Sequence, residues 1–262
     1  METIIVTVIV FVIAFTMVMT GKGGGNFYVV ALVMGGLTMH QAATMGQLIL
    51  ILTAITGMLI FNKNKLVDWK LALVIDPVTD IMAFFGGYFS GYVQGLYLKI
   101  ILAVLLVLAG FFMLLKFKNN PIKNKDKFGY WHRVYGDYNY VVNLWLAIPI
   151  AAMVGLAAGA VGISGGSFKV PLMVLLCGVP MRIAVGTSSA MVAATALMGF
   201  IGHTAVGHFD HTLAIPLGIA AISGGIIGIK FAIKTKPDNL KKIFAFTTLA
   251  AAVFMVINAM QG

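Results

Sequence analysis

The chain has 262 residues, 60% of them hydrophobic and only 10% charged, with a formal net charge of +10. A water-facing surface needs far more charge than that, so a soluble globular domain of this size is excluded. The single Cys177 excludes an internal disulfide and a multi-cysteine metal centre.

Taken along the chain, apolar runs approach or exceed the roughly 18 residues needed to cross a bilayer. They cover 3–20, 42–61, 71–89, 96–115, 141–161, 183–201, 213–229 and 243–257. The first follows Glu2 with no basic segment and no small-residue cleavage site. It therefore reads as a retained helix, not a signal peptide. The expected fold is all-α: a polytopic membrane protein of two inverted repeats, each of about four transmembrane helices. The repeats are 1–118 and 141–262, joined by a cytoplasmic linker at 119–140 whose aromatics lie at headgroup level.

The repeat shows in two glycine-rich breaks, Gly21-Lys22-Gly23-Gly24-Gly25-Asn26-Phe27 and Gly162-Ile163-Ser164-Gly165-Gly166-Ser167-Phe168. A shift of 141 positions superposes them, and also places Val29 on Val170, Val33 on Val174 and Ala43 on Ala184. Backbone freed at membrane depth is tolerated only against protein or a water-filled cavity. Paired interruptions in two halves are thus the best sequence pointer to a transporter's binding site.

Lysine placement sets the topology. Lys63, Lys65 and Lys70, the six basic residues between Lys116 and Arg133, and the five between Lys230 and Lys242 mark three cytoplasmic loops. Loops 88–94 and 203–211 carry no Lys or Arg and read as external. This parity requires 168–177, and likewise 27–36, to return as a half-helix, and it places both termini outside the plasma membrane. Scattered over short loops, the basic residues mark topology, and nucleic acid is excluded as a partner. Partners are instead a small anion and the lipid bilayer, and a homo-oligomer is left open.

Asn26 and Ser167 are favoured helix N-caps, so each break is expected to aim the first amides of a half-helix toward mid-membrane. Such an end binds anions without a formal cation. The expected substrate-binding set is Lys22, Gly23, Gly24, Gly25, Asn26, Gln47, Ser164, Gly165, Gly166, Ser167, Thr187 and Ser188. Lys169, one turn into the second half-helix, reads as snorkelling or paired.

Gly159-x-x-Gly162-x-Ser164-Gly165-Gly166-x-x-x-Val170-Pro171-Leu172, followed by Ala184-x-Gly186-Thr187-Ser188, resembles the sulfite exporter TauE/SafE family, also called the toluene-sulfonate uptake permeases. The first copy has Val30 for Pro171, and Met45-Gly46-Gln47 for Gly186-Thr187-Ser188. The resemblance covers the whole chain and implies secondary transport of sulfite or an organosulfonate, driven by an ion gradient. An anion channel or a small-carboxylate carrier stands as the alternative.

Coupling candidates are Asp76 and Asp80, four apart on one helical face around Pro77, for H+ or Na+. The plain alternative pairs Asp76 with a loop lysine such as Lys70. No cofactor, metal or enzymatic role is expected. His40, His203, His208 and His211 lack the spacing of a compact metal site, and Cys177 reads as packing.

Overall fold

A computed structural model describes residues 2–21, 23–37, 39–90, 104, 107–108, 110–111, 114, 128–161, 166–204 and 211–261. Among them lie nine α-helices and one hairpin. The first four helices are α1 (Glu2–Met19), α2 (Gly25–Met34), α3 (Met39–Lys63) and α4 (Trp69–Ser90). Strands β1 (Tyr130–Tyr135) and β2 (Tyr138–Asn143) follow, then α5 (Leu144–Val161) and α6 (Gly166–Pro171), which continues into a π-helical turn (Leu172–Leu176). Helices α7 (Met181–Thr204), α8 (His211–Lys234) and α9 (Pro237–Gln261) complete the chain.

The boundaries repeat. Gly25 and Gly166 open the two short helices, and Met39 and Met181, then Trp69 and His211, open the helices that follow at nearly the same offset. Left-handed glycines interrupt the first copy: Gly21, Gly23 and Gly24 have φ of +71°, +73° and +83°. Only glycine adopts such angles freely, so α1 cannot continue into α2. Helix α2 ends in a Schellman turn, with Leu37 N–H donating to Leu32 C=O at 3.1 Å across Gly36.

Two compact units interleave the copies. The first comprises Met1–Val67 with Val185–Thr235, the second Asp68–Ala184 with Lys236–Gly262. In the first unit α1 packs along α8, and α3 packs on both α2 and α8. Glycines set the α1–α8 approach: a Cβ at Gly224 would stand 2.5 Å from the Phe11 carbonyl oxygen, and Gly228 likewise abuts Phe15. This is the small-residue crossing expected in lipid, where dispersion and close backbone approach hold helices together. In the second unit α4 packs along α5, with Gly155 against the Thr79 backbone. The first helix of each copy therefore packs on the fourth helix of the other. Gly86, Gly87, Gly91 and Gly95 lie outside the residues whose surroundings are described.

Apolar side chains also face outward in stripes. Ile4, Val8 and Val12 on α1, and Ile215, Ile219 and Ile222 on α8, are exposed at helical spacing. Water would penalise such faces, whereas lipid does not. By length and composition, α3 over Thr44–Lys63 and α8 over Leu213–Lys234 can cross a membrane, while Ile4–Met19, Leu144–Ala157 and Met181–Leu197 are shorter apolar helices.

The all-α expectation needs one correction. Part of the expected linker forms an antiparallel hairpin that pairs Tyr130 with Asn143 and Tyr135 with Tyr138. Gly136 (φ +56°) and Asp137 make its two-residue turn. Tyr, Trp and Val flanking a Gly-Asp turn are a hairpin signal that the apolar-run reading passed over. Asn143 then caps α5 by accepting the Trp145 N–H at 3.1 Å.

Candidate functional site

In the first unit the glycine break is walled by two helices. A Cβ on Gly23 would meet Leu50 of α3 and, at 2.7 Å, Val192 of α7. One on Gly21 would fall 2.7 Å from the Val185 carbonyl oxygen. The Ser188 hydroxyl donates to the Gly21 carbonyl at 2.7 Å, within a fully buried setting. Its proton is spent on holding the break, so Ser188 acts on the loop's shape. Thr187, beside it, is also fully buried.

Gly24 C=O accepts the Tyr28 N–H at 3.2 Å, which makes Gly24 the cap of α2. Asn26 stands inside the first turn, not at the N-cap as expected, and Ser167 likewise follows Gly166 into α6. Glycine wins the cap because only it tolerates the left-handed approach to α2. Gln47 begins the turn of α3 that leads to Leu50. Its Oε1 is buried with no hydrogen-bond partner among the described residues. Deeper along α2, the Tyr28 hydroxyl meets Thr53 Oγ1 at 3.2 Å.

In the second unit the break itself, with Ser164 and Gly165, lies outside the described residues, as does Lys22 of the first. Gly166 is buried at the start of α6. Three residues on, Lys169 is buried and places Nζ 2.5 Å from Asp76 Oδ1 and 3.7 Å from Asp80 Oδ1. Asp76 is thus partnered by Lys169, not by Lys70. The i, i+4 spacing on α4 puts both carboxylates on one face, as expected, and an ammonium from the post-break helix lies against them. A lysine buried in an apolar segment is costly there unless carboxylates hold it, as Asp76 does here.

The pattern that defines the sulfite exporter TauE/SafE family matches residues 6–255. The chain belongs to this family. It is 30% identical over 185 residues to the probable membrane transporter protein YunE of Bacillus subtilis, covering 69% of this chain and 67% of that one. A second Bacillus subtilis probable membrane transporter protein, YdhB, is 29% identical over 112 residues, 43% of this chain and 46% of its own. A probable membrane transporter protein of Xylella fastidiosa is 21% identical over 240 residues, 89% and 87% of the two chains. No solved structure matches. The comparisons place this TauE/SafE chain among membrane transporters.

Sequence reasoning missed a third cluster in this family member. Asp68, fully buried before α4, accepts the N–H groups of Lys70 (3.1 Å) and Leu71 (3.2 Å). It also accepts Arg133 Nε at 3.0 Å and Nη2 at 2.5 Å, and the Tyr140 hydroxyl. One carboxylate therefore caps α4 and clasps the hairpin. Burial pushes the Asp68 carboxyl up, but its bonds from Arg133, Tyr140 and Leu71 outweigh this and hold it below the usual carboxylate range. Burial first, and the Asp68 carboxylate second, raise the Tyr140 phenol, which stays a donor.

Because the folded Asp68 value lies below the unfolded one, its stabilisation is complete above the unfolded value of about 3.9. It fades as pH falls through the folded value. Arg133→Gln strands this carboxylate and should cost about 3–5 kcal/mol in urea unfolding of detergent-purified protein. A variant as stable as the parent would mean that the clasp does not form.

Proposed function

We propose that the protein is a secondary active transporter of a small anion, with sulfite or an organosulfonate the best-matched class. The observation that carries this reading is the repeated interruption, in a chain of a transporter family, of an apolar segment by glycines that hand over to a short buried helix. The first amides of such a helix have no intrahelical partners and carry partial positive charge. Three or more oxygens clustered on sulfur suit several N–H donors at once. In the first unit, Gly23, Gly24 and Gly25 supply the close backbone approach. Gly166 and Ser167 open the corresponding helix in the second. In this reading the helix start of each unit can hold an anion, which is released by alternating access.

In this reading the two copies are inverted, a relation supported by the reciprocal packing of first on fourth helices. The chain crosses the plasma membrane several times with its Lys-rich loops inside and its termini outside. A carboxy-terminal alkaline phosphatase fusion should therefore be active, and a green fluorescent protein fusion at the same point dark. The opposite result would refute the inverted arrangement.

The decisive test is counterflow in proteoliposomes with radiolabelled sulfite, thiosulfate, methanesulfonate and acetate. A transporter accelerates labelled uptake when unlabelled anion is loaded on the far side. Leak without trans-stimulation would identify a channel and overturn the proposal. A thermal-shift screen with the same anions reports binding, since a ligand of the native state raises its stability.

A further inference from the structure

The two short helices that follow the glycine breaks differ in length. The 10 residues of α2 correspond to the 6 of α6 together with the 5 of its π-helical turn. Hydrogen bonds show where the difference arises. Leu37 N–H closes α2 on Leu32 C=O at 3.1 Å, and Val179 N–H closes the π-helical turn on Met173 C=O at 3.0 Å. From Leu32 to Met173 is 141 positions, whereas from Leu37 to Val179 is 142.

Everything beyond keeps the larger offset. Gly36 and Gly178, left-handed at φ +91° and +63°, are 142 apart, as are Met39 and Met181, which open α3 and α7. Farther on, Thr53 Oγ1 donates to Ile49 C=O, and Thr195 Oγ1 to Met191 C=O, again 142 apart. The second copy therefore holds one residue more than the first, between Met173 and Gly178.

We infer that the π-helical turn stores this residue and is the hinge on which α6 swings during transport, a hinge that α2 lacks. The hinge role rests on the transporter reading; the stored residue does not.

One residue added to a continuous α-helix rotates all that follows by about 100° and advances it by about 1.5 Å. Yet the closing bond and the left-handed glycine both reappear beyond the addition. The wider i→i+5 ring has taken up the surplus. Helices bend sharply at such turns, because the ladder of i→i+4 bonds is interrupted there. Pro171 weakens the same place further, since it has no N–H to give to the preceding turn, and Val30 stands there in α2. On one side of this soft point lies α6, opened by Gly166, and on the other the start of α7 at Met181.

Deletion of Leu176 removes the surplus and leaves a stretch of the length of α2. Its melting temperature in detergent should equal or exceed that of the parent. Deletion of Met34 from α2, which has nothing to spare, should lower it by about 5 °C or more. Hydrogen exchange read by mass spectrometry should be faster over residues 174–178 than over 33–37 in the parent, and slowed in the Leu176 deletion. Counterflow of radiolabelled methanesulfonate by that deletion should fall about tenfold or more, because the conformational step limits turnover.

A Leu176 deletion as unstable as the Met34 deletion would overturn the stored residue. One that folds and exchanges at the parental rate in counterflow would overturn the hinge while leaving the transporter intact. Absence of counterflow in the parent would remove the transporter reading, and hydrogen exchange would then decide alone. Equal exchange over the two segments would mean that the turn is no softer than α2.

Discussion

Gly23→Val is expected to abolish counterflow while the protein still inserts and is recovered from membranes at parental abundance. Gly23 has φ +73°, a conformation that costs a side-chain-bearing residue about 1–2 kcal/mol. The added Cβ would also stand 2.7 Å from Val192 Cγ1 and still closer to Leu50, which wall the break from α7 and α3. Both walls are buried, so relief must come from the break itself. That displaces the amides that open α2, where the anion is proposed to bind. Insertion depends on the apolar helices and is untouched.

Gly36→Ala is the matched control. It has φ +91° with nothing within 4 Å of the added Cβ, so it carries the strain without the collision. Counterflow by Gly23→Val at the parental rate would show that the break is not where the anion sits.

Lys169→Met should strongly destabilise the second unit. It leaves Asp76 and Asp80 facing an apolar side chain, and stranding a buried partner costs about 3–5 kcal/mol. Replacing both members of a buried pair by apolar residues is often close to neutral, so Lys169→Met/Asp76→Leu should recover much of the loss. Urea unfolding in detergent, read as a four-member cycle with Asp76→Leu, isolates the coupling. Additive single changes would mean that the ion pair contributes nothing to the fold.

Much of the helical framework was legible because membrane helices announce themselves locally. The glycine breaks were equally plain, since no other residue clusters in that way inside an apolar run. The assignment of Asn26 as a cap failed by competition between two local rules. Asn caps well, but the left-handed approach through Gly23 and Gly24 admits only glycine comfortably, so Gly24 takes the position. The hairpin was missed although Gly136-Asp137 lay between strand-forming residues. Its short alternating pattern is weak beside the long apolar runs.

What the sequence determined by itself is therefore local: where helices run, where they break, and that the pattern recurs after 141 positions. These follow from side-chain polarity and backbone freedom, which each residue carries with it. Tertiary structure alone decided the partners. Ser188 bonds Gly21 across 167 positions, Lys169 pairs with Asp76 across 93, and Arg133 reaches Asp68 across 65. Nothing near Asp76 in the chain singles out Lys169 over Lys70. The choice falls to whichever ammonium the packed helices bring within reach, because a charge withdrawn from water must find its counterion there.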